Sequence, residues 1–418
     1  MMREAKSSGI AWIGTIPKCW ETDKLKYHLR RNEPRNPGDV VVLSLYRELG
    51  VIPKDSRDDN HNVTSEDTSK YKYVRPGDFV INKMKAWQGS VAVSEYEGIV
   101  SPAYLVYEFT DDTIFKRYFH YLLRSCYKDE FMRLSGGIRV GQWDLPADAL
   151  ENTPILIPPM DEQCRIADFL DTKCAEIDAL TADIQTQIDT LEQYKRSVIT
   201  ETVTKGLNPD AETKDSGVQW IGNMPAHWDV IRGKYILRYM QKPVREDDGV
   251  ITCFRDGEVT LRRNRREDGF TMSDKEIGYQ GIDVGDLVVH GMDGFAGSIG
   301  ISDSRGKASP VLNVLDTYQH KRYIMYYLRS MAYSDVFLAL ATGIRVRSCD
   351  LRWNKLAELS YPVPPLDEQN AIVKHIDSVL SKADAVIADK KAQLVTLDEY
   401  KKSLIFEYVT GKKEVPAS

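Results

Sequence analysis

The feature that most constrains this 418-residue chain is a repeat within its own sequence. "SGIAWIGTIPKCWE" begins at Ser8, and "SGVQWIGNMPAHWD" begins at Ser216, 208 residues later. Further matches follow in the same order at displacements of 206 to 208 residues: RPGDFVINKM with DVGDLVVHGM, GIRV with GIRV, PPMDEQ with PPLDEQ, and EQYKRSVITETVTKG with DEYKKSLIFEYVTGK. Ordered matches at a nearly constant displacement indicate an internal duplication, so we expect both halves to fold alike.

Each half contains short β-rich runs followed by one long helical segment. Runs such as DVVVLSLY and DLVVHGM are bounded by Gly, Pro and Asp, and one helical stretch interrupts them. Because strands and helices do not alternate as in βαβ units, the predicted fold class is α+β, a tandem duplication of a mixed α/β domain and a long helix. The expected boundaries are 1–158 and 208–364 for the globular domains, 159–207 and 365–411 for the helices, and 412–418 for a disordered tail.

After each Pro-Pro pair the apolar residues adopt a helical period. Residues spaced by three, four and seven form one stripe on each segment: Ile177, Leu180, Ile184, Leu191, Tyr194 and Val198, then Ala383, Val386, Leu394, Leu397, Tyr400 and Leu404. Asp161 and Asp367 follow the prolines and are expected as N-caps. An apolar stripe on a charged helix needs a partner, so the two helices are expected to form a coiled coil. A four-helix interaction with a partner protein is the alternative, and some stripe residues could serve both.

Charge is unevenly distributed along the chain. The formal net charge is −6, which is unusual for a protein that binds nucleic acid. The helical segments 161–205 and 367–411 together carry −7, which leaves +1 for the remainder. A globular domain near neutrality can still present a basic face to phosphates.

Several classes of protein are disfavoured by what the sequence lacks. No apolar run is long enough to span a bilayer, and MMREAKSSG lacks the apolar stretch of a secretory signal. The six cysteines are scattered without a C-x-x-C pair, which indicates reduced thiols and a cytoplasmic protein. We find no dinucleotide-binding glycine motif, P-loop, zinc-enzyme motif or N-P-P-Y tetrapeptide of adenine methyltransferases. A non-enzyme without a bound cofactor or metal is therefore expected.

Two motifs, S-G-x-x-W-I-G-x-x-P-x-x-W before each globule and P-P-x-x-E-Q before each helix, closely resemble those of the specificity subunit of type I restriction-modification systems. The resemblance covers nearly the whole chain. It implies two target-recognition domains, each reading one half of a bipartite site in double-stranded DNA. It also implies an antiparallel coiled coil that holds the domains apart and docks two methyltransferase subunits, which bind S-adenosylmethionine and methylate adenine. Separate motor-nuclease subunits would cleave unmodified DNA.

Positions that agree between the repeats are expected to serve the fold or backbone contact with DNA. Four tryptophans agree, and they are interpreted mainly as packed anchors, with base stacking as the alternative: Trp12, Trp20, Trp220 and Trp228. Arg47 and Arg255 each follow an aromatic residue and are candidates for phosphate contact or a surface salt bridge. Arg139 and Arg345 lie in the repeated G-I-R-V beside a glycine and, with Arg347, are candidates for DNA contact.

Positions that differ are candidates for base choice. Lys83, Lys85, Trp87 and Gln88 in the first repeat correspond to a segment with His290, Asp293 and Phe295 in the second. The densest basic cluster is the loop LRRNRRED, whose candidate residues are Arg262, Arg263, Arg265 and Arg266; a solvated loop is the alternative. Glu162-Gln163 and Glu368-Gln369 are expected either to cap the helices or to face a partner.

Three functions remain open from the residues themselves: a sequence-specific DNA-recognition subunit, a scaffold whose globules bind peptides or other subunits, and a DNA enzyme with unrecognised motifs. Selective binding to duplex DNA would separate the first from the second. Binding of S-adenosylmethionine by the chain alone would favour the third.

Overall fold

The structure is a computed structural model that describes residues 3–38, 40–47, 49–56, 64–65, 67–137, 143–265, 277–340 and 351–416. The chain forms two compact units. Unit 1 comprises Met1–Ile184 and Ala392–Ser418, and unit 2 comprises Gln185–Lys391. Each unit thus contains one globular domain, the first part of the helix that follows it, and the last part of the other repeat's helix.

Unit 1 is a mixed α+β globule. Its strands are β1 (Ala5–Ser7), β2 (Thr15–Pro17), β3 (Glu21–Lys24), β4 (Leu29–Arg31), β5 (Leu43–Tyr46), β6 (Gly50–Pro53), β7 (Lys72–Val74), β8 (Phe79–Asn82), β9 (Val91–Val93), β10 (Gly98–Val100), β11 (Tyr104–Phe109) and β12 (Pro154–Ile157). Its helices are α1 (Lys116–Cys126), α2 (Lys128–Leu134), α3 (Ala147–Glu151) and the first part of α4 (Met160–Lys205). The central antiparallel sheet has the order β4-β11-β8-β9. The two-stranded pairs β1-β2, β3-β12, β5-β6 and β7-β10 surround it.

Both faces of the central sheet are buried. On β8, Phe79 and Ile81 belong to the core that contains α1 and the long helices, whereas Val80 belongs to a second cluster with Leu43 and Leu45 of β5. Successive side chains of a strand point to opposite faces. A strand covered on both sides therefore needs an uninterrupted apolar run, which the segment DFVIN provides.

Unit 2 repeats this architecture. Its strands are β13 (Thr213–Asp215), β14 (Asn223–Pro225), β15 (Asp229–Arg232), β16 (Leu237–Met240), β17 (Ile251–Cys253), β18 (Val259–Leu261), β19 (Gln280–Ile282), β20 (Leu287–His290), β21 (Ile299–Ile301), β22 (Gly306–Ala308), β23 (Leu312–Thr317) and β24 (Ser360–Val363). Its helices are the rest of α4, α5 (Gly233–Ile236), α6 (Lys321–Tyr333), α7 (Val336–Ala339), α8 (Trp353–Glu358) and the first part of α9 (Leu366–Val409). The sheet β16-β23-β20-β21 has the same strand order and directions as that of unit 1.

The long helices pair antiparallel within each unit. In unit 1, Lys401 of α9 lies 2.6 Å from Asp178 of α4. In unit 2, Lys195 of α4 lies 2.6 Å from Asp384 of α9. These positions are equivalent in the two repeats, so the duplicated sequence makes the same ion pair twice with the helices exchanged. The antiparallel coiled coil predicted from the sequence is confirmed.

The buried seam between the helices is narrower than the apolar stripe. Ile177, Ile184 and Ala383 are buried as expected. Four stripe residues are instead exposed, by 47%, 52%, 44% and 54% respectively: Leu180, Tyr194, Val386 and Tyr400. The prediction that these four form the seam is wrong, because a pair of helices covers only a narrow strip of an apolar face that is about 100° wide.

The repeated Trp motif holds the end of a long helix. Trp20 is fully buried, and Gly411 ends α9 against it in a left-handed conformation with φ 69°. A Cβ on Gly411 would lie 2.5 Å from Cδ of Pro17, so the helix end fits closely into the motif. Gly206, with φ 75°, ends α4 against the buried Trp228 in unit 2. The motif occurs twice because each unit receives one helix end.

Gln163 and Gln369 fasten the start of each long helix to a globule. The amide oxygen of the buried Gln163 accepts the backbone N–H of Phe115, just before α1, at 2.8 Å. Gln369, also buried, accepts the backbone N–H of His320, just before α6, at 2.9 Å. These side chains neither cap the helix nor face a partner, because burial directs them to the globule.

Two local features differ from the expectations. Both long helices begin one residue before Asp161 and Asp367, which therefore lie inside the first turn and complement the helix dipole there. In the tail expected to be disordered, Lys412 donates from Nζ to the carbonyls of Ile13 at 2.8 Å and Thr15 at 2.6 Å. This start of the tail is bound to unit 1. The overall class, a duplicated α+β domain with long paired helices, is confirmed.

Candidate nucleic-acid interface

The β8–β9 turn, residues 83–90, carries four of the candidate DNA-binding residues. Lys83 donates from Nζ to Asp144 at 2.8 Å. The Trp87 ring lies edge-on to Trp143 with the centroids 5.6 Å apart. Asp144 and Trp143 follow the G-I-R-V segment in the sequence. The structure therefore places the β8–β9 turn beside residues that come shortly after a second candidate DNA-binding segment.

Arg47, which follows β5, also reaches this turn. Its Nη2 donates to the side-chain oxygen of Gln88 at 3.0 Å. Lys85 is exposed on the same turn, and no side-chain partner for it lies within the described residues. The structure therefore gathers Arg47, Lys83, Lys85, Trp87 and Gln88 at one end of the central sheet and leaves an exposed cationic surface.

The β20–β21 turn, residues 291–298, has a different chemistry in unit 2. Nδ1 of His290 accepts the backbone N–H of Met292 at 3.2 Å and of Asp293 at 2.9 Å. Burial lowers the pKa of His290, so the ring is neutral at pH 7 and carries its proton on Nε2. Arg255 donates from Nη2 to Asp293 at 3.2 Å. His290 thus shapes the turn through Nδ1, and its Nε2–H is a hydrogen-bond donor.

Equivalent positions on the two turns differ in charge. Lys85 corresponds to Asp293, and Trp87 corresponds to Phe295. A lysine donates hydrogen bonds only, whereas an ionised aspartate accepts only. The two turns therefore present opposite hydrogen-bonding groups from the same place in the fold.

The basic loop of unit 2 is partly committed to contacts within the unit. Arg265 lies 2.6 Å from Asp256 and 3.2 Å from Glu258, so its guanidinium is already paired. Arg262 donates from Nε to Thr252 at 3.3 Å. Arg263 is exposed and has no side-chain partner among the described residues, so its guanidinium is available for contact with phosphate. Arg139, Arg266, Arg345 and Arg347 lie outside the described residues.

Two further arginines, which were not predicted from the sequence, bind the backbone near Arg47 and Arg255. Arg124 of α1 donates from Nε to the carbonyl of Arg47 at 3.1 Å. Arg329 of α6 donates from Nη2 to the carbonyl of Asp256 at 2.7 Å. Both occur in the repeated L-R-S at the end of α1 and α6, so their identity in the two repeats was the available signal.

Other kinds of site receive no support from the described residues. No group of three or more His, Cys, Asp or Glu side chains there is placed to hold a metal ion. The described helices include none with an apolar stretch sufficient to cross a membrane.

Comparison with known families supports a specific kind of domain. Residues 28–190 match the type I restriction modification DNA specificity domain. The type I restriction enzyme MjaVIII specificity subunit of Methanocaldococcus jannaschii is 24% identical over 427 residues, which cover 96% of this chain and 94% of that protein.

Solved structures share the fold. A chain from a structure titled for complex assembly and conformational transition of the type I R-M system superimposes with a TM-score of 0.68 at 15% identity, covering 95% of this chain and 99% of that one. The HsdS subunit from Thermoanaerobacter tengcongensis gives a TM-score of 0.50 at 15% identity, with 95% and 98% covered.

The matches extend along both repeats and both long helices, in agreement with the motifs at the start of each globule and helix. Over nearly its whole length the chain is similar to specificity subunits of type I restriction-modification systems, and its residues 28–190 match the DNA specificity domain of these systems.

Proposed function

We propose that this chain reads a bipartite, asymmetric duplex target, with one half-site recognised by each globular domain. The observation that carries the proposal is the pair of turns that share a position in the fold and differ in chemistry, with Lys85 in one and Asp293 in the other. Lysine suits the acceptors of guanine, and aspartate suits the amino group of cytosine. The proposed readers are residues 1–158 and 208–364.

The long helices, 159–207 and 365–411, are proposed to dock the modification subunits. Unit 1 exposes Leu180 of α4 and Tyr400 of α9, and unit 2 exposes the equivalent Val386 of α9 and Tyr194 of α4. We propose that these exposed apolar side chains are covered by a partner protein, because a charged helix pair gains stability when its apolar residues are removed from water. Because the two sets are equivalent, they suit two copies of one partner, which we take to be a methyltransferase subunit.

The remaining assignments follow from this arrangement. S-adenosylmethionine is bound by the methyltransferase subunits, and restriction motor-nuclease subunits join the same complex. A protein that acts on cellular DNA with these partners works in the cytoplasm.

The test is reconstitution of the full chain with its methyltransferase subunits, followed by mapping of methylated adenines along random DNA. We expect two short specific segments separated by a fixed number of unspecified base pairs. A single continuous motif, or methylation without sequence preference, would contradict the proposal. Peptide or subunit binding without selectivity for duplex DNA would instead support a scaffold.

Arg263 gives a separate test of phosphate contact. Arg263→Glu should weaken binding to all duplex sequences and reduce the slope of the logarithm of the binding constant against the logarithm of the salt concentration. The reason is that the variant neutralises one phosphate fewer and therefore releases about one counterion fewer on binding. Lys214→Glu, an exposed lysine of β13 in the same unit, is the control of equal charge change. Equal effects of the two variants would reduce the role of Arg263 to net charge alone.

The helices are further proposed to set the gap between half-sites. Insertion of one heptad after Ile184 in α4 and one after Lys391 in α9 leaves the contacts within each unit intact, since both points are boundaries of the units. Seven residues add about 10 Å of helix at ~1.5 Å per residue. The tolerated gap should grow by roughly three base pairs at about 3.4 Å per base pair. A complex that stays active and methylates targets with the original gap between half-sites would contradict this role of the helices.

A further inference from the structure

An arginine is held in the same place in both units by a side-chain oxygen of the neighbouring turn. Arg47 donates from Nη2 to Gln88 at 3.0 Å, and Arg255 donates from Nη2 to Asp293 at 3.2 Å. Arg47 and Arg255 are separated by the repeat displacement of 208 residues, but their partners are not equivalent. The position of Asp293 is taken by Lys85 in unit 1, where a cation would repel Arg47. The same kind of hydrogen bond is thus formed in both units from different turn positions.

The backbone that carries each arginine is also fixed. Arg124 donates to the carbonyl of Arg47 itself, and Arg329 donates to the carbonyl of Asp256, the residue after Arg255. A Cβ on Gly297 would lie 2.7 Å from the carbonyl oxygen of Arg255, so in unit 2 the turn packs directly on this loop. Each arginine is therefore held at its backbone by a helix and at its guanidinium by the turn.

A held guanidinium keeps most of its donors. Arginine has five N–H donors, and the turn oxygen uses one of them. Two of the others can still form the bidentate contact with O6 and N7 of guanine, a contact that depends on a fixed orientation. In unit 2 a phosphate on the same guanidinium would approach the Asp293 carboxylate, which repels it, whereas a base edge carries no net charge.

We infer that Arg47 and Arg255 each read a guanine in the half-site of their own unit, with Gln88 and Asp293 as the positioning residues. The inference rests on the proposed function, since it needs one half-site per unit. It differs from phosphate contact in a measurable way. Lysine keeps the charge that a phosphate needs but lacks the planar fork that guanine needs.

The experiment compares Arg47→Lys and Arg255→Lys in the full complex, with methylation mapped along random DNA. Each variant should lose about 10-fold of its discrimination at one guanine position, in one half-site, and leave the other half-site unchanged. Arg30→Lys and Arg238→Lys are matched controls, because these exposed arginines pair with Glu108 and Asp316 across strands instead of with a turn.

The positioning role has its own readout. Asp293→Asn keeps an acceptor oxygen for Arg255 and should retain the guanine preference, whereas Asp293→Ala removes the acceptor and should relax it at the same position as Arg255→Lys. The inference would be overturned if both Arg→Lys variants methylate the same sequences as the unaltered chain, or if they methylate all sequences more weakly to the same extent. Neither result would affect the bipartite target of the unaltered chain. An unaltered chain without a bipartite pattern would overturn the proposed function and the inference with it.

Discussion

Units 1 and 2 attach their long helices through equivalent residues and differ at one surface turn. Tyr118 donates to the carbonyl of Val409 at the end of α9, and the equivalent Tyr323 donates to Val203 at the end of α4. Gln163 and Gln369 fasten the two helix starts in the same manner. These four residues agree between the repeats and connect globule to helix, whereas the β8–β9 and β20–β21 turns differ in sequence. The duplicated sequence thus keeps the attachment of the long helices and differs at the turns that we propose to read DNA.

The same comparison shows that an identical residue need not make an identical contact. Trp20 and Trp228 are both fully buried. Nε1 of Trp20 donates to Glu162 at 2.9 Å, whereas Nε1 of Trp228 is buried without a hydrogen-bond partner among the described residues. Glu368, the equivalent of Glu162, lies 2.8 Å from Nε2 of His227 instead.

The largest expected effect tests this difference. Trp20→Ala and Trp228→Ala should each lower the free energy of unfolding by about 3–5 kcal/mol, because both leave a large cavity. Trp20→Phe should cost about 1–2 kcal/mol more than Trp228→Phe, since only the former removes a hydrogen bond to a carboxylate. Urea unfolding of the full chain measures all four variants. Equal costs of the two Phe variants would show that the Glu162 contact contributes nothing.

A second prediction concerns the stability of unit 1 at acid pH. Burial, with the Arg124 guanidinium 3.1 Å from Nε2, lowers the pKa of His120 in unit 1 to about 4. An unfolded histidine titrates near 6.5, so the unfolded state binds more protons between these values, and stability falls as the pH drops from 6.5 towards 4. The loss is at most on the order of 3 kcal/mol at about 1.4 kcal/mol per pKa unit.

Unit 2 has Met325 at the equivalent position. His120→Met should therefore flatten the decrease in melting temperature between pH 6.5 and pH 4.5, and His375→Met, an exposed histidine of α9, is the control. A pH profile of His120→Met that matches the unaltered chain would remove His120 as the cause.

The smallest expected effect tests the symmetry of the helix pair. Double-mutant cycles on Asp178 with Lys401 and on Lys195 with Asp384 should give coupling energies of about 0.2–1 kcal/mol, equal within error. Both aspartates are more than half exposed, at 62% and 59%, which keeps the couplings small. A coupling in one unit only would mean that the helices pair differently in the two units.

The duplication, the fold class and the long helices were predictable because a fixed displacement and a change of apolar period are local signals. The width of the buried seam between the helices was not predictable, because periodicity identifies an apolar stripe but cannot show which part of it a partner helix covers. Tyr194 and Tyr400 belong to the stripe and are nevertheless exposed. The contact of the Trp motif with a helix end also escaped prediction, because that end comes from the other repeat. Arg124 and Arg329 resemble solvated residues of an amphipathic helix until their carbonyl partners are seen.

The central claim is that each globular domain reads its own half-site. It is tested most directly by a chain in which residues 208–364 are replaced by a second copy of residues 1–158, assembled with its methyltransferase subunits and mapped for methylation. If the claim holds, the second half-site is lost and both specific segments of the methylated target are copies of the first half-site. An active complex that still methylates the original asymmetric target would show that recognition does not reside in the exchanged domain.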